Sequence, residues 1–519
     1  MTRAAPSPAP EAPGAGPPPP LAAGPLLGVA AAAFALHLAA LTRYGWFRDE
    51  LYYAASTSRL DWGYVDHPPL SIAVLALVRA VGGDGLAPIR LAAALAGAAT
   101  VFLTGALARR LGGGAFAQAL AALGVALAPV VLGVSHIYSM NALDLVLWAA
   151  ALLALLGAME RGTTGRWAAL GVVLGVGLLN KISVLWLGAG IAAALLATPH
   201  RRALATPGPW LAALVAAALF APYVAWNAAH GWPTLEFMAN ARQHKMTTLE
   251  PARFLLDQVL HMNPAAAPVW LVGLAAGLAG RVGAGGRAFA VVWLATLAIL
   301  LASGSARASY LAPAYAGLWA AGAVALERAT ARRGRAALVT AVALAGLAAA
   351  PLALPLLPVE AFVRFQRALG LAPRTEERHA MGALPQHYAD MHGWEEMVAL
   401  VAEAHARLSP EERARCRVFG QNYGEAGAVD VLGRRLGLPR AISGHNSYWL
   451  WGPGAGEPEA IIAIGGDREG NARFFEEIEI VGRTASPWSM PYERGLDVWI
   501  GRRPKVSLRE AWPALRRYI

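Results

Sequence analysis

Apolar segments of helix-spanning length recur from residue 21 to residue 358, and this feature constrains the fold more than any other. A helix of about 20 apolar residues crosses a bilayer, whereas a soluble domain could not bury so much apolar surface. The chain is 56% hydrophobic and 15% charged, while soluble domains are about a quarter charged. The sequence therefore predicts an all-α membrane bundle of about eleven helices. The predicted spans are 25–42, 86–108, 115–134, 141–159, 166–180, 182–198, 209–227, 264–280, 287–304, 309–327 and 335–357.

The two ends of the chain differ in composition from this apolar region. Residues 1–24 are rich in Pro, Ala and Gly and are predicted to form a disordered tail. Residues 25–358 form the predicted transmembrane domain, whose first apolar run lacks a small-residue cleavage site and is predicted to be a membrane helix. Residues 359–519 carry mixed charge, with a helix-like stretch at 394–408 and strand-like stretches at 460–464 and 498–500. They predict a soluble α/β domain.

Arginine residues cluster at every second connection between the predicted spans, for example at Arg109-Arg110 and Arg201-Arg202. The positive-inside rule places these connections in the cytoplasm. The formal charge of +11 fits topology and anionic lipid head groups better than nucleic acid, so no nucleic-acid partner is expected. The other connections and the last segment then face outward. The outward connections are 43–85, 135–140, 180–181, 228–263 and 305–308.

The first outward connection carries adjacent acids, Asp49 and Glu50, followed by Tyr52 and Tyr53. Neighbouring residues on a helix point about 100° apart, so the two acids need not share one role. One carboxylate is suited to accept a proton, while the other orients a ligand or an ion. The alternative is a pair of solvated loop acids. The two tyrosines suit an interfacial helix and are predicted to position substrate.

His67 precedes two prolines, which stiffen the backbone by fixing two φ angles. Such a turn holds a histidine against a phosphate or a metal. The alternative is a rigid re-entry turn that leads into the next apolar stretch.

Further ionisable residues collect at the outward ends of later helices. Asp144 lies one turn inside a predicted span and should have a partner, because an unpaired carboxylate at that depth is costly. Lys181 departs from the positive-inside pattern, which phosphate capture explains; the alternative is a snorkelling lysine. Arg242 and Lys245 in the connection 228–263 bind phosphate or form a solvated face. Arg307 and Tyr310 lie at another outward turn.

These motifs resemble the GT-C superfamily, in the family 39-like branch of dolichyl-phosphate-mannose–protein mannosyltransferases and bacterial lipid A aminoarabinose transferases. The resemblance covers roughly residues 25–330, and the order and membrane side of the motifs agree. It rests on the segments Arg48-Asp49-Glu50-Leu51-Tyr52-Tyr53, His67-Pro68-Pro69-Leu70, Asn141-Ala142-Leu143-Asp144, Asn180-Lys181 and Tyr310-Leu311-Ala312-Pro313-Ala314-Tyr315.

The resemblance implies an inverting glycosyltransferase in the bacterial inner membrane, with its active site facing the periplasm. It implies a polyprenyl-phosphate sugar as donor and a hydroxyl of a glycan, lipid or protein as acceptor, among membrane lipids. Asp49 would be the general base, Glu50 its helper, and Lys181 would hold the donor phosphate together with His67, Arg242 and Lys245. Tyr52, Tyr53, Asp144 and Tyr310 would position the substrate. No cofactor is expected to be required, although a divalent cation is chemically compatible with Asp49, Glu50 and a histidine.

One departure from the family pattern is His67, at a position where relatives carry a basic residue. Histidine titrates near neutrality, so phosphate binding there would depend on pH. In the last segment, 422–426 and 443–449 resemble the outer domain of bacterial members. Their Tyr, Trp, Asn and His residues fit carbohydrate contact or a packed core edge equally well.

Two other functions are alternatives to the transferase. A secondary transporter would carry charged residues near the bilayer midplane and internal repeats, whereas here the polar residues gather at one face and no repeat is evident. A non-catalytic scaffold for envelope assembly would not need Asp49, Glu50 and Lys181. The sequence favours the transferase.

Overall fold

The computed structural model describes residues 18–519, and residues 1–17 of the predicted disordered tail lie outside the described residues. Helix α1 begins at Ala23, so the last two residues of the predicted tail are helical. The helices up to residue 349 are α1 Ala23–Ala40, α2 Arg48–Ser56, α3 Leu70–Gly82, α4 Leu86–Arg110, α5 Ala115–Ala126, α6 Pro129–His136, α7 Met140–Arg161, α8 Thr164–Asn180, α9 Val184–Leu196, α10 Pro207–Ala229, α11 Pro233–Asn240, α12 Pro251–His261, α13 Ala267–Leu278, α14 Gly283–Ser303, α15 Tyr315–Ala329 and α16 Arg332–Ala349. Short 3₁₀ turns cover Pro199–Ala205, Pro264–Ala266, Ala308–Ala314 and Ala350–Leu352, and a π-helical turn covers Ala241–Lys245.

The predicted count of eleven membrane helices is not confirmed. Within residues 18–519, six helices are long and apolar enough to cross a membrane, and eight if each bent pair counts as one span. The helices α5 and α6 are bent by 63°, and α12 is bent by 92° against the segment Pro264–Leu278. Every predicted span overlaps a helix, but α9 and α15 have only 13 and 15 residues. Hydropathy marks the apolar runs, and the breaks within them shorten the helices.

The connection 43–85 contains two helices, of which the first fits the interfacial helix that the sequence suggested at Tyr52 and Tyr53. Helix α2 carries the adjacent acids, and α3 is apolar but only 13 residues long. It is shorter than a membrane span, which is why the search for spanning runs did not find it. Pro69 directly precedes α3 as its N-cap, so the two prolines do end the turn.

Small residues bring the helices of the bundle close together, as expected in membranes. Gly273 of α13 faces the carbonyl of Leu318 in α15, and Gly322 of α15 faces the carbonyl of Val269 in α13. A Cβ at either glycine would collide with the opposing backbone. The two helices therefore pack at a distance that only glycine allows.

The last segment folds around a five-stranded mixed sheet, which agrees with its predicted α/β character. The strand order is β2-β1-β3-β5-β4; β1 pairs in parallel with β2 and β3, whereas β5 is antiparallel to β3 and β4. The predicted strand 460–464 coincides with β3, and 498–500 lies inside β5. The elements are α17 Val359–Ala368, α18 Gln386–Ala389, α19 Trp394–Ala406, α20 Pro410–Ala414, β1 Cys416–Phe419, α21 Tyr423–Leu432, β2 Ala441–Ile442, α22 Ser447–Trp451, β3 Ala460–Ile464, α23 Arg468–Ala472, β4 Phe475–Arg483, β5 Asp497–Pro504 and α24 Leu508–Ala511, with 3₁₀ turns at Gly433–Leu436, Pro491–Glu493 and Trp512–Leu515.

Helix α2 and the sheet of the last segment share one hydrophobic core. Leu51 and Tyr52 of α2 are buried in the same cluster as Val418 of β1, Ile462 of β3 and Val498 of β5. The last segment, residues 359–519 (the C-terminal domain), therefore packs directly on the helix that carries Asp49 and Glu50. This contact determines which residues surround the two acids.

Candidate functional site

The two adjacent acids of α2 face different surroundings. Asp49 Oδ1 accepts a hydrogen bond from the Tyr423 hydroxyl at 2.9 Å, and its side chain is 34% exposed. The Glu50 side chain is completely buried. Successive helical residues point about 100° apart, so one acid reaches a site while the other enters the bundle.

Every oxygen of Glu50 is engaged by fixed donors. The Arg90 guanidinium donates to Glu50 Oε1 and Oε2 at 3.0 Å each, and the backbone N–H groups of Phe47 and Tyr138 donate at 3.0 Å. Arg90 also donates to three backbone carbonyls of the preceding loop and is completely buried. In this arrangement the Glu50 carboxylate has no free side for substrate or a cation, and its catalytic role stays a prediction that this geometry does not favour.

Lys181 follows the last residue of α8 and pairs with Asp144, the partner that the sequence required. Its ammonium donates to Asn141 Oδ1 at 2.8 Å, lies 3.4 Å from Asp144 Oδ2 and stands 4.9 Å above the Tyr310 ring. Ser183 donates to the same oxygen of Asp144 at 3.1 Å. Asp144 Oδ1 is buried without a partner among residues 18–519. This ion pair therefore keeps one carboxylate oxygen that no described residue satisfies.

A second group of cations surrounds Glu377, which comes from the segment that follows α17. Arg307 forms an ion pair with Glu377 Oε1, and the Lys245 ammonium lies 3.8 Å from the same oxygen. Although burial opposes ionisation, Arg307 and then Lys245 lower the pKa of Glu377 to about 2. The pKa of Lys245 is lowered by burial despite Glu377. Arg307 is therefore the principal counter-ion of this carboxylate.

The charge of Asp49 acts on both cations that share Glu377, Arg307 and Lys245. Burial tends to lower the pKa of Arg307, but Tyr310, Glu377 and, more weakly, Asp49 raise it above its usual range. Arg307 is therefore within electrostatic reach of Asp49. It also neighbours Tyr310, and the Lys181 ammonium lies above the ring of that tyrosine. Tyr310 thus lies between the Lys181 ammonium and Arg307, and Arg307 interacts with Asp49 through charge alone, without a direct contact.

Two predicted phosphate-binding residues lie elsewhere. His67 is enclosed by the rings of Tyr52, Tyr53 and Tyr64, at centroid distances of 5.9, 4.6 and 4.8 Å, and is 1% exposed. Arg242 is exposed on the π-helical turn and forms no ion pair within the described range. His67 is thus enclosed and Arg242 faces the surface, so this geometry does not favour their predicted contact with the donor phosphate.

The predicted positioning tyrosines of α2 act inside the protein. The Tyr52 hydroxyl donates to Asp66 Oδ1 at 2.9 Å and accepts from the backbone N–H of Ser447 at 3.3 Å. The Tyr53 hydroxyl accepts from the N–H of Met140 at 3.5 Å. Both rings are buried. These hydrogen bonds attach α2 to its neighbours. The other two residues predicted to position substrate, Asp144 and Tyr310, lie beside Lys181.

Sequence reasoning did not identify Tyr423 and Glu377 as site residues. Tyr423 opens a motif that was interpreted as a carbohydrate contact or a core edge, and it lies 374 residues from Asp49 along the chain. Glu377 appeared only as part of a stretch of mixed charge. No local pattern reveals such distant pairings.

The residues that the structure describes contain no group of three or more His, Cys, Asp or Glu side chains arranged to hold a metal ion. The ligands proposed from the sequence do not assemble, because Glu50 is saturated by Arg90 and His67 lies behind the tyrosines.

Comparisons with known proteins cover different parts of the chain. Residues 66–226 match the family described as dolichyl-phosphate-mannose-protein mannosyltransferase. The lipid A galacturonosyltransferase RgtD of Rhizobium johnstonii (strain DSM 114642 / LMG 32736 / 3841) is 31% identical over 185 residues, which are 36% of this chain and 39% of that protein. The chain thus spans about two fifths of the length of this relative.

The structural match extends over nearly the whole chain. The crystal structure of ArnT from Cupriavidus metallidurans bound to undecaprenyl phosphate superposes with a TM-score of 0.62 at 16% identity, over 92% of this chain and 98% of that one. Its apo state gives 0.61 at 15% identity, with the same coverage. This coverage includes both the helical bundle and the C-terminal sheet, so the match supports the predicted GT-C fold but not the predicted count of eleven helices.

Proposed function

We propose that this chain, a member of the GT-C superfamily by fold, transfers a sugar from a polyprenyl-phosphate donor to a hydroxyl acceptor with inversion at the anomeric carbon. The single observation that carries the proposal is the partly exposed Asp49 carboxylate, whose charge acts on Arg307 and Lys245, the two cations that share Glu377. A partly exposed carboxylate beside several cations is what the reaction needs.

In the proposed reaction, Asp49 accepts the proton of the acceptor hydroxyl as its oxygen attacks C1 of the sugar. The bond between C1 and the phosphate oxygen breaks on the opposite face, and the phosphate leaves with an added negative charge. Lys181, together with Arg307 and Lys245, stabilises that charge, because preorganised cations act most strongly in a partly dehydrated site. Asp144 and Tyr310 hold the Lys181 ammonium in place.

The substrate classes are supported by the relatives. ArnT was crystallised with undecaprenyl phosphate, and RgtD is a lipid A galacturonosyltransferase. We assign the donor of this chain to the same polyprenyl-phosphate class, and its acceptor to a cell-envelope glycan, lipid or protein. The enzyme would be embedded in the bacterial inner membrane, with the site and the C-terminal domain facing the periplasm, as the positive-inside pattern favours.

The proposed reaction requires no cofactor. Lys181, Arg307 and Lys245 supply the positive charge that the leaving phosphate needs, and the carboxylate next to Asp49 is committed to Arg90. Transfer by the reconstituted protein should therefore be the same with EDTA and with added Mg²⁺ or Mn²⁺. A loss of transfer in EDTA that metal restores would contradict this assignment.

The test measures transfer from radiolabelled polyprenyl-phosphate sugars to acceptors in membranes that contain the protein. Donors carrying mannose, galacturonic acid or aminoarabinose form the first panel. Asp49→Asn removes the proton acceptor and should lower transfer by about 10²–10⁴-fold. The control, Asp61→Asn, changes an exposed acid of the same connection and should leave transfer unchanged. Full activity of Asp49→Asn would contradict the proposal, and NMR of the product tests inversion.

A further inference from the structure

The C-terminal domain approaches α2 through glycines on one helix, α21. A Cβ added at Gly427 would lie 2.9 Å from the carbonyl carbon of Leu51 and 3.0 Å from the nitrogen of Tyr52. A Cβ added at Gly424 would collide with the side chain of Arg48. Only glycine allows the two backbones to come this close. The start of α21 is therefore fixed against the start of α2.

The residue that this contact presents to Asp49 is Tyr423, the first residue of α21. Asn422 caps the helix by accepting hydrogen bonds from the N–H groups of Gly424 and Glu425 at 2.8 and 3.0 Å. The N–H of Tyr423 itself donates to His445 Nδ1 at 3.2 Å. The backbone at Tyr423 is thus held on both sides by side chains of its own domain.

The Tyr423 side chain is equally constrained. Its ring lies 4.8 Å from the Tyr52 ring and 5.3 Å from the Arg48 guanidinium, and the residue is 6% exposed. Burial raises the pKa of the phenol well above its usual range, although Arg48 opposes this effect. The phenol therefore keeps its proton and acts as the donor in the 2.9 Å hydrogen bond to Asp49 Oδ1.

This bond divides the two oxygens of the Asp49 carboxylate between two tasks. Oδ1 is occupied by the phenol, whereas Oδ2 accepts no hydrogen bond from any residue of the range 18–519. A carboxylate fixed through one oxygen loses its freedom to rotate. Its other oxygen then stays available in one orientation, which is how positioning groups prepare a general base.

We propose that Tyr423 is a positioning residue for the general base, and that the C-terminal domain thereby completes the active site. The inference rests on the proposed function, because it requires Asp49 to be the base. It assigns to the C-terminal domain a role in turnover, beyond any contact that the domain makes with an acceptor.

The experiment compares Tyr423→Phe with the wild type in the reconstituted full-length enzyme. The ring remains, so docking of the domain should persist, and thermal unfolding in detergent checks this. Loss of a hydrogen bond to a charged group should lower kcat by about tenfold. The KM for the donor should stay within about twofold, because a group that acts on the base alone changes kcat rather than binding.

Tyr448→Phe is the matched control. The Tyr448 hydroxyl donates to Asp430 Oδ2 at 2.9 Å in the same domain, and its ring lies 6.2 Å from the Tyr52 ring. This variant loses a buried hydrogen bond of the same kind without touching Asp49, so its kcat should equal that of the wild type. An equal loss of kcat in both variants would overturn the inference, since it would indicate domain packing alone.

A double mutant distinguishes action through Asp49 from an independent effect. If Tyr423 acts through Asp49, then Tyr423→Phe combined with Asp49→Asn should be no slower than Asp49→Asn alone. A further tenfold loss in the double mutant, or unchanged kcat in Tyr423→Phe, would refute the inference while leaving the proposed function intact. Wild-type transfer by Asp49→Asn would remove the function itself.

Discussion

Two buried ion pairs at the same end of the bundle, Glu50 with Arg90 and Asp144 with Lys181, differ in how fully their polar atoms are satisfied. Arg90 binds both oxygens of Glu50 and three backbone carbonyls, and both side chains have zero exposure. Asp144 keeps one oxygen without a partner among the described residues, and the Lys181 side chain is 11% exposed. Saturation, more than burial or charge, therefore separates a structural ion pair from one that can receive a ligand.

Removal of Arg90 is the strongest test of the structural role of its ion pair with Glu50. Arg90→Met should destabilise the protein by about 3–5 kcal/mol, because it leaves the Glu50 carboxylate buried without a counter-ion. Thermal unfolding in detergent measures the loss. Arg109→Met in the same helix is the control, since Arg109 Nε donates only to Pro19 O at 2.7 Å. A stable Arg90→Met protein that had lost only transfer would place Glu50 and Arg90 in the reaction.

The ion pair of Asp144 with Lys181 should respond in the opposite way to substitution. Lys181→Met is expected to leave the fold nearly intact and to lower kcat/KM for the donor by about 10- to 100-fold, the range for losing a hydrogen bond to a charged group. Lys181→Arg should recover part of the activity because it keeps the charge, and Lys505→Met at the surface should change nothing. Strong destabilisation by Lys181→Met without an effect on the remaining activity would make the two pairs alike.

Glu377 provides an intermediate case, since its partner Arg307 has a side chain that is 35% exposed. In the proposed site, this carboxylate occupies Arg307 and Lys245, which a donor phosphate must recruit. Glu377→Gln should therefore lower the KM for the donor by up to about tenfold, because the donor phosphate no longer competes with an internal carboxylate for these two cations.

The neighbouring acid offers a control for Glu377→Gln. Glu376 Oε1 accepts from the N–H of Ala308 at 2.7 Å, and a glutamine preserves this acceptor, so Glu376→Gln should keep the wild-type KM. An unchanged or higher KM in Glu377→Gln, with normal thermal stability, would show that Glu377 does not compete with the donor.

A weaker effect is expected from Glu425 and Glu493, two buried acids that share one amide donor. Asn422 Nδ2 donates to Glu425 Oε1 at 2.8 Å and to Glu493 Oε1 at 2.9 Å, and burial raises the pKa of Glu493 to about 7. The unfolded chain loses this proton near pH 4.3. Stability should therefore fall as pH rises from about 4.3 to about 7.

Glu493→Gln should flatten this part of the pH dependence, because an amide does not titrate. Thermal unfolding of the full chain in detergent at pH 5, 6, 7 and 8 measures the slope. Glu396→Gln, which alters a surface carboxylate bound to the N–H of Ala485, should leave the slope unchanged. An equal slope in wild type and Glu493→Gln would assign the pH dependence to other groups.

The sequence predicted those parts of the fold that arise from local composition. Apolar runs located every long helix, and the change to mixed charge with helix-like and strand-like stretches located β3 and the α/β character of the last segment. Helix α3 was missed because its 13 residues are fewer than a membrane span requires. The break between α5 and α6 was missed because hydropathy continues across it, whereas the predicted span 264–280 begins at the second break, after α12.

Within the site, local patterns selected the reactive residues but not their partners. Asp49 and Lys181 stood out by position, and the pairing of Asp144 was expected from the cost of a buried charge. Glu50 looked equivalent to Asp49 because only the tertiary fold brings Arg90 to it. His67 looked available because the sequence does not reveal that three tyrosine rings close around it.

The core that α2 shares with the C-terminal sheet has a consequence for biogenesis. Helix α2 ends at Ser56, whereas the first covering strand starts at Cys416. At about 5–20 residues per second, the ribosome needs tens of seconds to produce that strand. The nascent chain must meanwhile keep α2 in place with the apolar side of Leu51 and Tyr52 bare. The contact between Glu50 and Arg90 is complete as soon as α4 is inserted, so it can act as an early co-translational anchor until the rest of the protein is made.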